Sequence, residues 1–208
     1  VGVMGKGLAQ VYKLRYPGLF KAYQIACHEK MLEIGKNWIF RVPDERWVLN
    51  FPTKFHWKYE SKPIYLERGL SHFMENYQQE GITSIAFPLL GALNGGLDPR
   101  IAMEIMEKHL SACLIPVEIW TFDPDAPDDI FESFQKKMLS ANFSQLLKST
   151  GIRSDKLELI RNALADNSIN SIATLLGKEN IGENTVEKCF RLMHKNTGDM
   201  QGFFDFPV

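Results

Sequence analysis

The sequence has 208 residues, enough for one ordinary domain and a small appendage. Apolar residues make up 45% and charged residues 24%, which is the balance of a globular protein that folds in water. The 24 basic and 25 acidic side chains give a net charge of −1, which excludes an overall positive field for holding long nucleic acid non-specifically, but not a local basic strip.

The cysteines and the hydropathy pattern favour a reducing, cytoplasmic setting. Cys27, Cys113 and Cys189 are far apart and none lies in a CxxC pair, so their spacing argues against a disulfide framework and a zinc site. No apolar stretch approaches the roughly 20 residues that cross a bilayer, and we find no signal peptide, so no membrane association is predicted. Because the first residue is Val1 rather than Met, we expect the chain to begin inside a longer gene product.

Helices and strands alternate in the first 122 residues. Apolar residues at helical spacing predict helices over 7–23 (with a break at Pro17-Gly18), 20–33, 64–80 and 98–110. Alternating or continuous apolar runs predict strands over 38–42, 47–51, 84–88 and 117–122, with a turn at 43–45. We expect the strand over 84–88 to be buried. This alternation predicts a layered α/β domain with a largely parallel sheet.

A segment rich in Pro and Asp, 123–129, marks the predicted domain boundary. It divides an α/β domain over 1–126 from a small helical or winged-helix-like appendage over 130–208. In the appendage we predict helices over 130–147, 154–165, 168–176 and 184–195. The aromatic ending, 203–208, is predicted to pack on a domain or to meet a partner.

Two glycine-bearing segments could each wrap a phosphate. Gly2, Gly5 and Gly7 come directly before a predicted helix, where backbone N–H groups and the helix dipole favour negative charge. The spacing is not GxGxxG, and Lys6 is followed by Gly7 rather than by Ser or Thr, which argues against a Rossmann enzyme and a P-loop NTPase. The second segment, 91–96, lies between a predicted strand and a predicted helix. A wide turn between these two elements explains its glycines as well as a phosphate site does.

Lys54 lies just past the end of a predicted strand, where α/β sheets collect their ligands. Most lysines are solvated surface charges, but the apolar flank of Lys54 makes it a candidate nucleophile. Lys6 is the second candidate amine, better explained as an exposed charge or a phosphate contact. Together, the lysine and the two glycine segments favour a pocket for a nucleotide diphosphate.

Four other side chains have both a structural and a functional interpretation. Structural packing is the favoured role for Trp57, whereas His56 is left open between packing and ligand stacking. Asp98 is explained as the N-cap of the helix that begins at Pro99, rather than as a general acid or base. Phe122, at the end of the last strand, is either a core aromatic or a wall of an adenine site.

These motifs resemble macrodomains, and within that superfamily the DarG-type antitoxins. The resemblance spans Val1 to about Pro124. It rests on Val1-Gly-Val-Met-Gly-Lys-Gly-Leu-Ala9, Arg15-Tyr-Pro17, Asn50-Phe-Pro-Thr-Lys54 with His56-Trp57, and Leu90-Gly-Ala-Leu-Asn-Gly-Gly-Leu-Asp98. It implies a three-layer α/β/α fold with a mixed, largely parallel sheet. The lysine motif is the specific one; the glycine segments alone indicate only a macrodomain.

The resemblance also implies an activity: removal of ADP-ribose from thymidine bases of single-stranded DNA, a repair reaction that counters a DarT-like toxin. Lys54 would be the catalytic residue, acting on the anomeric carbon of the distal ribose as a nucleophile or by stabilising the opened sugar. No metal or cofactor is implied. The residues implied to bind substrate are Gly2, Val3, Met4, Gly5, Gly7, Thr53, Gly91, Ala92, Leu93, Asn94, Gly95 and Phe122.

Two departures from the family pattern lead to further expectations. The strands and helix that precede the first glycine loop in the family are absent, which puts the activity of the isolated chain in doubt. Leu93 stands where the family has a small or Cys residue, and it could narrow the ribose pocket. Two alternatives to the hydrolase therefore stay open: a reader that binds ADP-ribose without cleaving it, and a toxin-binding module carried by an inactive macrodomain.

Overall fold

The chain folds into two compact units. The computed structural model describes residues 2–42, 46–123, 126, 128–194 and 203–205. Unit 1 contains the residues before Met4, Gly18–Phe122 and the strand Phe203–Asp205, whereas unit 2 contains Met4–Pro17 and the segment that begins at Asp123. The boundary predicted near residue 126 lies close to the change from unit 1 to unit 2 at Asp123. However, the first helix belongs to unit 2 with the C-terminal helices, and the last strand belongs to unit 1.

Unit 1 holds two groups of paired strands. In the first group, β1 (Trp38–Arg41) pairs antiparallel with β2 (Val48–Asn50) and with β5 (Phe203–Asp205). In the second, β3 (Ile85–Pro88) pairs parallel with β4 (Val117–Trp120), so that Ile85 lies opposite Val117. The α/β fold is therefore confirmed, but among the described strands parallel and antiparallel pairing are divided between two sheets, and antiparallel pairs outnumber parallel ones. The connection from β1 to β2 is too short for the crossover that parallel strands require.

Three helices belong wholly or mainly to unit 1. They are α2 (Pro17–His28), α3 (Pro63–Asn76) and α4 (Pro99–Leu110). The buried faces of α3 and α4 meet in one core, where Leu66, Leu70 and Phe73 of α3 pack with Met106 of α4 and Phe87 of β3. Since α4 connects β3 to β4, it is the crossover that makes their parallel pairing possible.

The regular secondary structure of unit 2 is all helical within its described residues. Its helices are α1 (Gly7–Arg15), α5 (Asp129–Ser140), α6 (Phe143–Thr150), α7 (Ser154–Leu164), α8 (Ile172–Gly177) and α9 (Glu183–His194). Leu14 of α1 lies in the same core as Phe134 of α5 and Phe190 of α9, whose rings stack 4.4 Å apart. The described residues of unit 2 contain helices and no strand, which agrees with a helical appendage rather than with a winged helix.

Some predicted elements differ from those observed. The predicted helix over 130–147 is two helices, because Asn142 is an N-cap whose side chain accepts a hydrogen bond from the N–H of Gln145. The break in the first helix falls at Tyr16, and α2 ends at His28 rather than near residue 33. The prediction that 84–88 is a buried strand is wrong: Phe87 is buried, whereas Ala86 is exposed. The predicted turn at 43–45 lies outside the described residues.

Candidate functional site

A partly buried aromatic ring fixes the start of the lysine loop, which is the segment 51–57 that carries Lys54. Phe51, directly after β2, lies against α3 so closely that a Cβ on Gly69 would be 2.3 Å from Cζ of its ring. The same ring meets Phe87 of β3 edge to face, with centroids 6.4 Å apart. The backbone that leads to Lys54 is therefore anchored to both α3 and β3 three residues before the amine.

The structure brings the lysine loop together with the second glycine-bearing segment, residues 91–96, which we call the second glycine loop. Nζ of Lys54 donates a hydrogen bond to the carbonyl oxygen of Asn94, although forty residues separate the two in sequence. Lys54 and its neighbour Thr53 are partly exposed, and Asn94 is exposed, so the meeting point faces solvent. A charged amine thus lies at the edge of the glycine loop, as the sequence predicts.

The second glycine loop presents free backbone donors. Gly91 and Leu93 have positive φ angles of 71° and 48°, and the N–H of Leu97 donates to the carbonyl of Gly91 at 3.0 Å, which closes the loop. Within the part of the chain that the structure describes, the backbone N–H groups of residues 91–94 have no hydrogen-bond partner. Successive N–H groups in a turn of this kind form a concave binding site for an anion such as a phosphate.

Glu60 and Ser61, which the sequence analysis missed, form one wall of this loop. The N–H of Ser61 donates to the carbonyl of Gly95 at 2.8 Å, and a Cβ on Gly95 would lie 2.8 Å from Oγ of Ser61. A Cβ on Gly96 would lie 3.1 Å from Cγ of Glu60. The glycines are thus required by close packing as well as by backbone angle. Three glycines within six residues were the one sequence signal that something approaches the loop.

Leu93 and Ala92 complete the loop. The Leu93 side chain is 70% exposed, and Ala92 is partly buried. A side chain so exposed does not contribute to the core, which leaves it available for contact with a ligand. Its predicted effect on a ribose pocket stays a prediction.

The predicted first glycine loop is divided between the two units. Gly2 and Val3 belong to unit 1, where Gly2 has a φ of 65° and lies beside α2, with its Cβ position 3.6 Å from Cγ of Gln24. Val3 is about half exposed. Because a positive φ is unfavourable for residues with a Cβ, the backbone at Gly2 favours glycine.

The rest of that loop leads into α1 of unit 2. Met4 is buried, Gly5 is partly buried, and Gly7 begins the helix with a φ of 59°. Lys6 is the extended N-cap residue, and its side chain makes no capping hydrogen bond. The first N–H groups of α1 are therefore not capped by a side chain, which is the arrangement that suits an anion.

The other predicted side chains separate clearly into structural and exposed groups. Asp98 is the N-cap of α4 and accepts a hydrogen bond from the N–H of Arg100 at 2.8 Å, which confirms its structural role. Hydrogen bonds from the Arg100 side chain and backbone lower the pKa of Asp98. The predicted packing role of Trp57 is wrong, because 56% of the side chain is exposed. Phe122 is 61% exposed, which is not the burial of a core aromatic.

Two other features are absent from the described residues. No group of three or more His, Cys, Asp or Glu side chains in this part of the chain could hold a metal ion. No described helix has both the length and the apolar character needed to cross a bilayer.

Comparison with known proteins agrees with the fold. The family model of the Macro domain matches residues 1–106, about half of the chain. Among curated proteins, a DNA ADP-ribosyl glycohydrolase of Thermus aquaticus is 41% identical over 128 residues, which are 60% of this chain and 35% of that protein. A DNA ADP-ribosyl transferase-DNA ADP-ribosyl glycohydrolase fusion protein of Thermosipho africanus is 38% identical over 138 residues, 58% of this chain and 36% of the fusion.

Solved structures give the same result. The macrodomain of Mycobacterium tuberculosis DarG is 34% identical, with a TM-score of 0.56, and the match covers 59% of this chain and 84% of that one. Thermosipho africanus DarTG in complex with ADP-ribose is 38% identical, with a TM-score of 0.57, and the match covers 62% of this chain and 38% of that one. The chain spans about a third of the length of the curated relatives it matches.

Proposed function

This chain belongs to the Macro domain family, and from that membership we propose that it is an ADP-ribosyl hydrolase. Its substrate would be single-stranded DNA that carries ADP-ribose on thymidine bases. Two curated relatives have DNA ADP-ribosyl glycohydrolase in their names, and one structural relative binds ADP-ribose. The observation that carries the proposal is the contact between Nζ of Lys54 and the carbonyl of Asn94, because it places an amine beside an anion-binding loop.

The second glycine loop would hold the diphosphate. The unpartnered N–H groups of residues 91–94 can each donate to a phosphate oxygen. In this arrangement Thr53, Ala92, Leu93 and Gly95 would surround the distal ribose. The exposed ring of Phe122 would contact adenine.

Lys54 would act on the anomeric carbon of the distal ribose. As a nucleophile, the neutral amine would form a bond to this carbon while the bond to the thymine nitrogen breaks and the base takes a proton. The resulting glycosylamine would open to a Schiff base as the ring oxygen leaves the anomeric carbon and takes a proton, and water would then hydrolyse this Schiff base to release the sugar and regenerate the amine. As a cation, Lys54 would instead stabilise the opened sugar while water attacks directly. Borohydride reduction during turnover distinguishes the two, since only the nucleophilic route yields ADP-ribose fixed to Lys54.

The biological setting that we propose is the bacterial cytoplasm, with the protein acting as antitoxin to a DNA ADP-ribosyltransferase of the DarT type. The fusion of transferase and glycohydrolase in a single relative supports this partnership, because its name joins the two activities in one protein. Reversal of the modification would restore the original base, which makes the reaction a form of DNA repair. A reader that binds ADP-ribose without cleaving it is the alternative.

Replacement of Lys54 tests the proposal. We expect Lys54→Ala to slow release of ADP-ribose from a modified single-stranded oligonucleotide by about 100-fold or more, because the transition state loses its amine. Its affinity for free ADP-ribose should stay within about threefold of wild type, since the backbone donors remain. Lys108→Ala, near the C-terminal end of α4, is the matched control and should change neither quantity.

Two outcomes would contradict the hydrolase. Full turnover by Lys54→Ala would show that the amine is not catalytic. Wild-type protein that binds ADP-ribose but leaves the modified oligonucleotide intact would identify the chain as a reader.

A further inference from the structure

The segment directly after Lys54 exposes three aromatic side chains. Phe55 is 79%, Trp57 56% and Tyr59 65% exposed. Single exposed apolar residues are ordinary on protein surfaces, but three large rings within five residues, none of them in a core cluster, form an apolar patch that needs an explanation. Their positions in a loop directly after the proposed catalytic residue connect the patch to the site.

Two of the three rings, Trp57 and Tyr59, are held in a defined arrangement by His56. The imidazole of His56 stacks on Trp57 with centroids 5.7 Å apart and planes 27° apart, and it also meets Tyr59 at 5.6 Å. The N–H of Tyr59 donates to the carbonyl of His56 at 3.0 Å, so the backbone forms a turn beneath the rings. A surface whose rings are ordered before a ligand arrives loses less conformational entropy on binding.

The charge around the rings is positive. Three lysines lie within 54–62, and the one acidic residue of this stretch is Glu60, which packs against Gly96. Nζ of Lys58 lies 5.3 Å from the centre of the Trp57 ring, close enough for a cation–π interaction. The net charge of the whole chain is −1, so this stretch is a local basic strip within a protein that is nearly neutral.

We propose that Phe55, Trp57 and Tyr59, which we call the aromatic platform, bind the single-stranded nucleotides that flank the modified base. Unpaired bases offer faces that stack on aromatic side chains, and lysines at the same surface pair with the phosphates between them. An apolar protein partner would suit the rings alone and leave the lysines without partners. The combination of exposed rings with Lys54, Lys58 and Lys62 favours a nucleic acid strand. This inference rests on the proposed function, because it assigns the strand that would carry the modified base.

The test is binding of a fluorescently labelled, unmodified single-stranded oligonucleotide, followed by anisotropy. We expect the variant in which Phe55→Ala and Trp57→Ala are combined to raise Kd by about 10-fold or more, since each lost stack weakens binding severalfold. Leu114→Ala, which removes another exposed apolar side chain (82% exposed), is the matched control and should bind like wild type. The double variant should keep its affinity for ADP-ribose, because it leaves the glycine loops intact.

A second pair of variants separates stacking from charge. The Kd of wild type should rise with salt concentration, and Lys58→Gln should have a shallower salt dependence than Lys108→Gln, because Lys58 is placed to contact a phosphate. Duplex DNA of the same sequence should bind more weakly than the single strand, since its base faces are already stacked.

The results distinguish this inference from the proposed function. If the double variant binds the single strand as tightly as wild type, or if duplex and single strand bind equally, the aromatic platform is wrong. A wild-type protein that binds the unmodified strand through these rings but fails to release ADP-ribose would support the platform and contradict the hydrolase. Loss of a protein partner in the double variant, with Kd for the single strand unchanged, would assign the rings to that partner and overturn the inference.

Discussion

Gly69 shows how one missing side chain determines the position of the proposed catalytic residue. Gly69 lies on the buried face of α3, and the ring of Phe51 occupies the space that its Cβ would need. Phe51 is three residues before Lys54, so the glycine sets how closely the lysine loop approaches the core of unit 1. The stability of the loop and the position of the amine depend on the same contact.

Substitution of Gly69 should therefore affect both stability and activity. Alanine normally favours a helix over glycine by roughly 0.5–1 kcal/mol, but overpacking typically costs about 1–3 kcal/mol. Because the ring would have to move, we expect Gly69→Ala to lower the free energy of unfolding by about 1–2 kcal/mol and to reduce turnover. The control is Gly177→Ala at the end of α8, where a Cβ meets no atom within 4 Å. Equal stability of both variants in chemical denaturation would show that Phe51 does not hold the loop.

Individual residues were predictable where their chemistry restricts the backbone. The second glycine loop and the N-cap Asp98 carry such restrictions in the sequence itself, and both have the predicted local geometry. Ser61 could not be predicted, because its role depends on the close approach of Gly91 and Gly95, about thirty residues further along the chain. The exposure of Trp57 was missed for a related reason, since burial of a large apolar side chain is only the average expectation.

Helix α1 packs as part of the helical unit through a charged contact. Nζ of Lys13 lies 3.1 Å from Glu183 and 2.8 Å from Glu187 of α9, and only 11% of its side chain is exposed. Burial by itself lowers the pKa of Lys13, but hydrogen bonds and charge from Glu187 and Glu183 outweigh it, so the pKa is raised. Burial raises the pKa of Glu187, and the hydrogen bond and charge of Lys13 outweigh this effect, so that pKa is lowered.

These shifts define a pH range in which the pair stabilises unit 2. Because the pKa of Lys13 is raised in the folded protein, its ion pairing contributes fully to the stability of unit 2 below its ordinary pKa of 10.5. This contribution is lost as the pH rises through the pKa of Lys13 in the folded protein. Because the pKa of Glu187 is lowered in the folded protein, its ion pairing contributes fully to the stability of unit 2 above its ordinary pKa of 4.5. This contribution is lost as the pH falls through the pKa of Glu187 in the folded protein. We expect the free energy of unfolding to fall on acidification below about pH 4.5, and to fall less in Glu187→Gln.

The comparison is made by guanidinium unfolding, followed by circular dichroism at pH 7 and pH 3. At neutral pH, Glu187→Gln should be less stable than wild type by about 1.5–3 kcal/mol, the range for a hydrogen bond to a charged group. Glu158→Gln on α7 is the control, because Glu158 is exposed and makes no ion pair among the described residues. If all three proteins lose the same stability on acidification, the pair does not stabilise α1 in unit 2.

Helices and strands were predicted where the apolar periodicity was strong. Strands β1, β2, β3 and β4 and helices α3, α4, α7 and α9 all lie within a few residues of their predicted bounds. The break between α5 and α6 was missed because the apolar spacing continues through it, and only the cap at Asn142 marks the end of one helix and the start of the next. The membership of α1 in unit 2 could not be predicted, since it depends on contacts with α8 and α9, more than 150 residues later.

The molecule as a whole combines a macrodomain core with a helical unit that includes the helix directly after the first glycine loop. The family is shown by the match of the Macro domain model to residues 1–106, and the motifs on which the predicted resemblance rests begin within that range. The discontinuous composition of the units is a property of the complete fold, and no local pattern encodes it. The proposed activity depends first on one property, the recognition of ADP-ribose.

Calorimetric titration of the chain with ADP-ribose tests that property most directly. The account predicts saturable binding with a Kd of micromolar order, about −8 kcal/mol. It also predicts at least a 10-fold loss of affinity in Gly91→Val, because valine tolerates neither the φ of 71° nor the contact with Ser61. If the folded wild-type chain releases no heat with ADP-ribose, or if Gly91→Val binds as tightly as wild type, the glycine loop is not the binding site and the central claim is contradicted.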